Sequence, residues 1–243
     1  LSEKLLQRGD YLVNAVASCG VCHAAASSAL VSSRGTVALA GGAVLEDQFG
    51  EVVAPNITPD AKTGIGNWSI SEVMRAIRSS IDKDGNALSL DSHKEYRWMS
   101  DEDAKAIAVY LLAQKPVSSP LERRSLNFFQ KNRLGVSSRY SEVEGYVPAL
   151  ARTETAGYGR YLARNVAQCS VCHGSGDMKS KTAGINFEGG DLPKWSKEAF
   201  MDYLSGRGSE AKVASQRGCP VSAYRKMQPE DQKAIALYLT KMQ

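Results

Sequence analysis

Leu12-Val13-Asn14-Ala15-Val16-Ala17-Ser18-Cys19-Gly20-Val21-Cys22-His23 and Leu162-Ala163-Arg164-Asn165-Val166-Ala167-Gln168-Cys169-Ser170-Val171-Cys172-His173 read as one stretch written twice. Each closes in Cys-x-x-Cys-His, a pattern that this composition would produce by chance about 0.001 times in such a chain. The residue types have separable jobs: two thiols add across the vinyl groups of a haem, and the adjoining imidazole is delivered to one axial face of its iron. On this reading Cys19, Cys22, Cys169 and Cys172 hold two covalently bound haem c groups, and His23 and His173 ligate the irons. Two other chemistries use such cysteines. A thioredoxin-like dithiol needs no following His and expects a βαβ context, and a zinc site could pool four Cys from both motifs.

The duplication extends outward from both motifs. Gly9 matches Gly159 and Tyr11 matches Tyr161, at the same offset of 150 as the cysteines. Downstream, Trp68-Ser69 matches Trp195-Ser196 at 127, and Tyr96-Arg97-x-Met99 matches Tyr224-Arg225-x-Met227 at 128. Glu102-Asp103-x-Lys105-Ala106-Ile107-Ala108-x-Tyr110-Leu111 returns as Glu230-Asp231-x-Lys233-Ala234-Ile235-Ala236-x-Tyr238-Leu239. The chain is expected to divide into two like modules, 1–114 and 155–243, joined by a linker over 115–154.

Apolar positions such as Leu5, Leu12 and Val16, or Ile107, Tyr110 and Leu111, recur at helical spacing, and strand-like alternation is scarce, so the expected fold class is all-α. Ser100 with Asp103, after apolar Met99, predicts a helix start, and Pro229 suits the first position of the matching helix. Trp68 and Trp195 precede predicted helices that run from Ser71-Glu72 and from Lys197. Gly9 and Gly159 weaken a helix unless another backbone must come close there, and the expected partner is each module's terminal Tyr-bearing helix. The module-one insertion with Gly41-Gly42, Pro55, Pro59 and Gly64-Ile65-Gly66 reads as loops covering a haem edge.

Composition excludes several classes. Hydrophobic residues at 43% and charged residues at 23% argue for a globular chain over a disordered one. The longest apolar run, 106–113, falls far short of the roughly 18 residues of a membrane span. Thirty basic against 26 acidic residues is too even for nucleic-acid binding without a clustered basic face. The linker does gather Lys115, Arg123, Arg124, Lys131, Arg133 and Arg139 into a basic strap, which is either a solvated connector or a docking surface for an acidic partner.

With these features the chain resembles the class I cytochromes c, in which an N-terminal helix runs into Cys-x-x-Cys-His and a C-terminal helix packs across it. The resemblance covers nearly the whole chain. More narrowly, Arg8-Gly9-x-Tyr11-Leu12, Pro55-Asn56-Ile57-Thr58-Pro59, Thr63-Gly64-Ile65-Gly66-Asn67-Trp68 and Ser100-Asp101-Glu102-Asp103 are similar to the cytochrome subunits of bacterial alcohol and sugar-acid dehydrogenases. Those subunits are periplasmic electron carriers with several such modules. The resemblance implies two tandem class I cytochrome c domains, export to the periplasm, and redox partner proteins among which a dehydrogenase is possible. This sequence departs from them in having two haem motifs and no apolar span.

In related modules the distal iron ligand is a Met of Met-Pro, eight residues before the apolar residue that precedes the last helix. The same count from Met227 lands on Cys219-Pro220, and Cys219 is also the one cysteine outside the attachment motifs. A thiolate ligand favours Fe(III), so the second haem is expected at low potential. The other readings are Met227 as ligand beside an apolar Cys219, or an exposed thiol. From Met99 the count lands on Asp91. His93, two residues on, is the one histidine outside the motifs and is the expected replacement, with Met99, Lys94 and an open iron as alternatives. Met99 and Met227 also suit hydrophobic staples, and Tyr96 and Tyr224 suit either haem propionates or packing.

The expected function is a soluble dihaem carrier of single electrons between redox partners, without nucleic acid or a membrane span. The rival is a small-molecule redox enzyme: thiosulfate-dehydrogenase-like, where Cys-ligated haem is known, or peroxidase-like, where an iron stays open. A ligand-exchange sensor fits the unusual ligands but lacks an output segment. Covalent haem and thiol chemistry imply assembly outside the cytoplasm, and Leu1 in place of Met is expected either of a chain that has lost an export signal or of one that has been trimmed.

Overall fold

The computed structural model describes residues 2–24, 38–47, 50–88, 93–122, 143, 145–173, 194–216 and 219–242. Helix α1 (Glu3–Tyr11) runs directly into a π-helical turn, Leu12–Val16, and then into the short helix α2 (Gly20–His23), which carries the first motif. After it come strands β1 (Val44–Asp47) and β2 (Gly50–Val53), helix α3 (Ile70–Ser79), a 3-10 turn at Lys94–Trp98, and helix α4 (Asp101–Leu112). The second half opens with α5 (Ala156–Tyr161), a π-helical turn at Leu162–Val166, and α6 (Cys169–His173) with the second motif. It continues through α7 (Lys197–Leu204), α8 (Gly208–Gln216), α9 (Val221–Tyr224) and α10 (Pro229–Thr240).

The repeat is visible in the backbone as well as in the letters. Ala17 N–H reaches back to the Leu12 carbonyl at 2.8 Å, and Ala167 N–H to the Leu162 carbonyl at 2.7 Å, the five-residue step of a π turn. Both turns end in a left-handed residue just before the first cysteine, Ser18 at φ 53° and Gln168 at φ 50°. Such a conformation is uncommon for a non-glycine residue. Its recurrence at an offset of 150 shows that the turn delivering Cys-x-x-Cys-His is part of the duplicated design.

Gly9 and Gly159 behave as the sequence predicts. A Cβ at Gly9 would lie 2.1 Å from the Ala106 carbonyl oxygen and 2.5 Å from Tyr110 Cβ, and one at Gly159 would lie 1.8 Å from the Ala234 carbonyl oxygen. Helix α1 therefore packs backbone to backbone on α4, and α5 on α10. Leu12, Val16, Leu162 and Val166 are wholly buried beneath these crossings. The predicted caps at Ser100 and Pro229 are present, Ser100 Oγ accepting from Asp103 N and Pro229 standing at the first turn of α10, and α3 starts at Ile70, just before the expected Ser71, because Ser69 closes a capping box with Glu72.

The two halves are clasped reciprocally. Tyr11 Oη donates to Asp231 Oδ2 at 2.6 Å and accepts from Gln228 N at 3.1 Å, at the start of α10. Tyr161, its counterpart, donates to Asp103 Oδ2 at 2.8 Å and accepts from Ser100 N at 3.2 Å, at the start of α4. Each half thus supplies a phenol to the N-terminus of the other's last helix, where orphan N–H groups require acceptors. The symmetry breaks at one position. Arg8 holds Asp103 through two hydrogen bonds at 2.8 and 2.9 Å, whereas the residue at the matching place in the second half is Tyr158, so Asp231 lacks a bidentate guanidinium.

Among the described residues the fold differs from an all-helical expectation by an antiparallel hairpin, β1 paired with β2 from Val44↔Val53 to Asp47↔Gly50. It lies inside the insertion that reads as loop in the sequence. The described ends of the linker are pinned to the first half: Val117 O accepts from Asn56 Nδ2 at 2.7 Å, and Val147 exchanges two backbone-directed hydrogen bonds with Asp101. Arg123, Arg124, Lys131, Arg133 and Arg139 of the basic strap lie outside the described residues. Among the described residues no helix is long and apolar enough to cross a membrane.

Candidate functional site

His23 ends α2, and its Nδ1 lies 2.8 Å from the Pro55 carbonyl oxygen. A carbonyl only accepts, so Nδ1 carries the proton and Nε2 keeps a lone pair for a metal. The loop that supplies this carbonyl is held by its own polar groups. Buried Asn56 donates to Thr63 Oγ1 at 3.0 Å and to Val117 O, and its Oδ1 accepts from Thr58 N at 2.9 Å. Gly41, at φ 76°, lets its N–H reach the His23 carbonyl at 2.9 Å; a Cβ there would sit 2.4 Å from the Ala54 carbonyl oxygen. The Pro55–Pro59 and Thr63–Trp68 stretches thus hold the imidazole at one tautomer and orientation.

His93 is brought to the same place. Its Nδ1 lies 3.3 Å from the Ala76 carbonyl of α3, which again leaves Nε2 with a lone pair. The two ring centres are 6.3 Å apart and tilted by 49°. An imidazole bonded to a metal at about 2.0 Å has its ring centre about 1.1 Å behind the nitrogen, so two on opposite sides of one ion stand roughly 6.2 Å apart. The spacing of His23 and His93 fits one ion between them. Desolvation lowers the pKa of both and brings His93 down to about 4, so both are neutral at pH 7 with their lone pairs available.

The other candidates around the first motif are placed differently. Met99 is fully buried in the apolar core at the start of α4, as a staple would be, and Lys94 is exposed. Asp91 lies outside the described residues. Tyr96 packs near His93 with ring centres 5.2 Å apart, and burial raises its hydroxyl pKa. Cys19 and Cys22 are thiols, and burial pushes Cys19 up to about 12.

Beside the second motif lies a small cavity of about 50 Å³. Cys169, His173 and Cys219 all line it, and its remaining walls are apolar or aromatic, with Trp195, Phe200, Tyr203 and Met227 among them. Cys219 is a thiol raised by burial, with a counteracting hydrogen bond from Tyr203, whose oxygen is 3.5 Å from the sulfur. The side chain of Cys172 lies outside the described residues. Met227, counterpart of fully buried Met99, is also packed in the core. Among the described residues no three His, Cys, Asp or Glu side chains converge as a metal site. A mostly apolar lining that carries the first thiol of the motif, its imidazole and one further sulfur has the donor set for a covalently held haem, as do the paired imidazoles of the first site.

Sequence reasoning missed the groups behind the ligands. The Pro55 carbonyl, the Ala76 carbonyl and the Tyr203 hydroxyl each hold a candidate ligand, and of these only the Pro-Asn-x-Thr-Pro stretch stands out in the sequence. Backbone carbonyls carry no residue-type signature.

No family model matches the chain. It is 30% identical over its whole length to a nicotinate dehydrogenase component of Pseudomonas putida, of which it spans 22%. It is 28% identical over 96% of its length to the fructose dehydrogenase cytochrome subunit of Gluconobacter japonicus, of which it spans 52%. It is 25% identical over 92% of its length to a diheme cytochrome c-type protein of Cereibacter sphaeroides, of which it spans 81%. Several relatives carry the name cytochrome c, a class whose homologues imply a helical fold such as the described residues have. The chain is a homologue of proteins named as cytochrome c subunits of alcohol, fructose and gluconate dehydrogenases. The chain spans about half, or less, of the length of these dehydrogenase proteins.

Proposed function

We propose that this chain is an exported, periplasmic dihaem c-type cytochrome that passes single electrons between redox partners. It is built as two tandem class I modules, 1–114 and 155–243, on a linker over 115–154. The observation that carries the reading is the pair of imidazoles, His23 and His93, each tied at Nδ1 to a backbone carbonyl, with ring centres 6.3 Å apart, a spacing that suits one ion between them. A bound haem supplies an iron that cycles between Fe(III) and Fe(II) without bonds being made or broken in a substrate.

The chain's residues divide the work. Cys19, Cys22, Cys169 and Cys172 tether the two groups; His23 and His93 hold the first iron, and His173 and Cys219 the second. The reciprocal tyrosine clasp keeps the two sites at a fixed separation, which a carrier needs for fast exchange. The names of the relatives support a dehydrogenase as one partner, and the basic strap suits an acidic docking face.

Intact mass of the exported protein should exceed that of the polypeptide by two haems, with c-type bands in the pyridine haemochrome spectrum. A mass increment of one haem, or of zinc, overturns the reading. The enzymatic alternative, thiosulfate-dehydrogenase-like or peroxidase-like, calls for an iron open to small ligands, so ready binding of carbon monoxide by the untreated protein would favour it.

A further inference from the structure

The helices that follow Trp68-Ser69 and Trp195-Ser196 correspond at an offset of 127, which pairs Ala76 of α3 with Tyr203 of α7. In the first module, Ala76 offers its carbonyl to His93 Nδ1. In the second, the Tyr203 hydroxyl oxygen lies 3.5 Å from the Cys219 sulfur, and either atom could be the donor. One helix position therefore touches the candidate distal ligand in both halves, and the chemistry offered there differs with the ligand. An imidazole has an N–H to donate and meets an acceptor. A ligating sulfur is a thiolate with only lone pairs, and it meets a donor.

We propose that Tyr203 is the positioning residue for the second distal ligand: its hydroxyl donates a hydrogen bond to the Cys219 thiolate, orients the sulfur and withdraws charge from it. This rests on Cys219 being that ligand. The surroundings suit the task. Trp195 packs against the Tyr203 ring with centres 5.5 Å apart and against Phe200 at 5.3 Å, which confines the phenol. Cys219 is held on both sides by its own backbone, its N–H on Ala214 O at 3.0 Å and its carbonyl accepting from Val221 N at 2.8 Å. Donor and acceptor are thus each fixed by contacts independent of the bond between them.

A hydrogen bond to a thiolate competes with the metal for sulfur electron density. It weakens the preference for Fe(III) that an anionic sulfur imposes, so the potential of that site is higher than an unbonded thiolate would give. Removing the hydroxyl must lower it.

The test is spectroelectrochemical titration of the holoprotein. Tyr203→Phe keeps the ring on Trp195 and should shift the second site's reduction equilibrium about tenfold toward Fe(III), which is about 59 mV for a one-electron couple. The first site should not move, and the ferric electron-paramagnetic-resonance signature of the second should change with its sulfur. In a Cys219→Met background the same substitution should shift nothing, because a thioether carries no charge for the phenol to relieve. If Cys219→Met moves the second potential but Tyr203→Phe does not, Tyr203 only packs and the proposal falls while the ligand assignment stands. If Cys219→Met leaves that potential unchanged, the assignment itself is wrong and the proposal falls with it.

Discussion

Gly159→Ala and Gly157→Ala place one methyl group each on the same short helix, two residues apart, and should change stability in opposite directions. At Gly159 the added Cβ lies 1.8 Å from the Ala234 carbonyl oxygen, 2.3 Å from its carbon and 2.9 Å from Ile235 N, all backbone atoms of α10. Ordinary contact is near 3.4 Å, so α5 and α10 must separate by roughly 1.5 Å along this contact, at the upper end of or beyond the ~1–3 kcal/mol of a typical overpacking change. Better helix propensity returns about 1 kcal/mol at most. The net cost is then about 2 kcal/mol or more, and at ~2–4 °C per kcal/mol for a chain of this size Tm falls by at least about 4–8 °C. At Gly157 the new Cβ meets only Thr155 Oγ1 at 3.9 Å, and propensity acts unopposed. There Tm should rise, by up to about 2–4 °C. Thermal unfolding followed by far-ultraviolet circular dichroism measures both. A Gly159→Ala chain that melts at or above the parent temperature would refute the claim that backbone approach of α5 to α10 is why glycine stands there.

His93→Ala should convert the first site to high spin or open it to carbon monoxide and cyanide while the second site's spectrum is unchanged; if Met99→Ala does this instead, Met99 is the ligand and not a staple. Asp231 is raised above its ordinary value first by burial and then by Glu230, against the hydrogen bond from Tyr11 and the fields of Arg8 and Arg152. A carboxyl with a raised folded pKa contributes stability that is full below the unfolded value of about 3.9 and is lost as pH rises through the folded value. Denaturant titrations across that window should show Asp231→Asn flattening the decline. Asp103→Asn behaves otherwise: it breaks the bidentate pair with Arg8, whose side chain is 9% exposed, and leaves a buried guanidinium uncompensated at a cost of about 3–5 kcal/mol.

What the sequence makes legible follows from which interactions have residue-type signatures. The two motifs, the duplication and the caps at Ser100 and Pro229 are written in residues that do one thing well, and both caps stand where they are expected. Gly9 and Gly159 are legible for a sharper reason, because glycine inside a helix is costly and a close approach is the compensation. The β1–β2 hairpin is hidden because Val44-Leu45-Glu46-Asp47 is too short for period-two alternation to register. Helix α8 is hidden because Gly208–Gln216 has few apolar positions to mark a face.

The reciprocal clasp shows a deeper limit. Tyr11 and Tyr161 stand out in the sequence only as one more matched pair, and every local rule reads them as packing within their own module. Their hydroxyls instead reach Asp231 and Asp103 across the chain, at positions that the same duplication matches at a different offset. A repeat records that two modules share contacts; it does not say whether a contact lies within a module or between them. Here the exchange is between them, and it has a consequence for the sites. The 3-10 turn that follows His93 packs on the π turn before Cys169, where Glu95 N–H donates to Gln168 Oε1 at 3.2 Å and Asn165 Nδ2 donates to Glu95 O at 3.1 Å. The segment that follows His93, the proposed first distal ligand, is therefore fastened to the residue immediately before the second Cys-x-x-Cys-His, which ties the two candidate sites to each other mechanically.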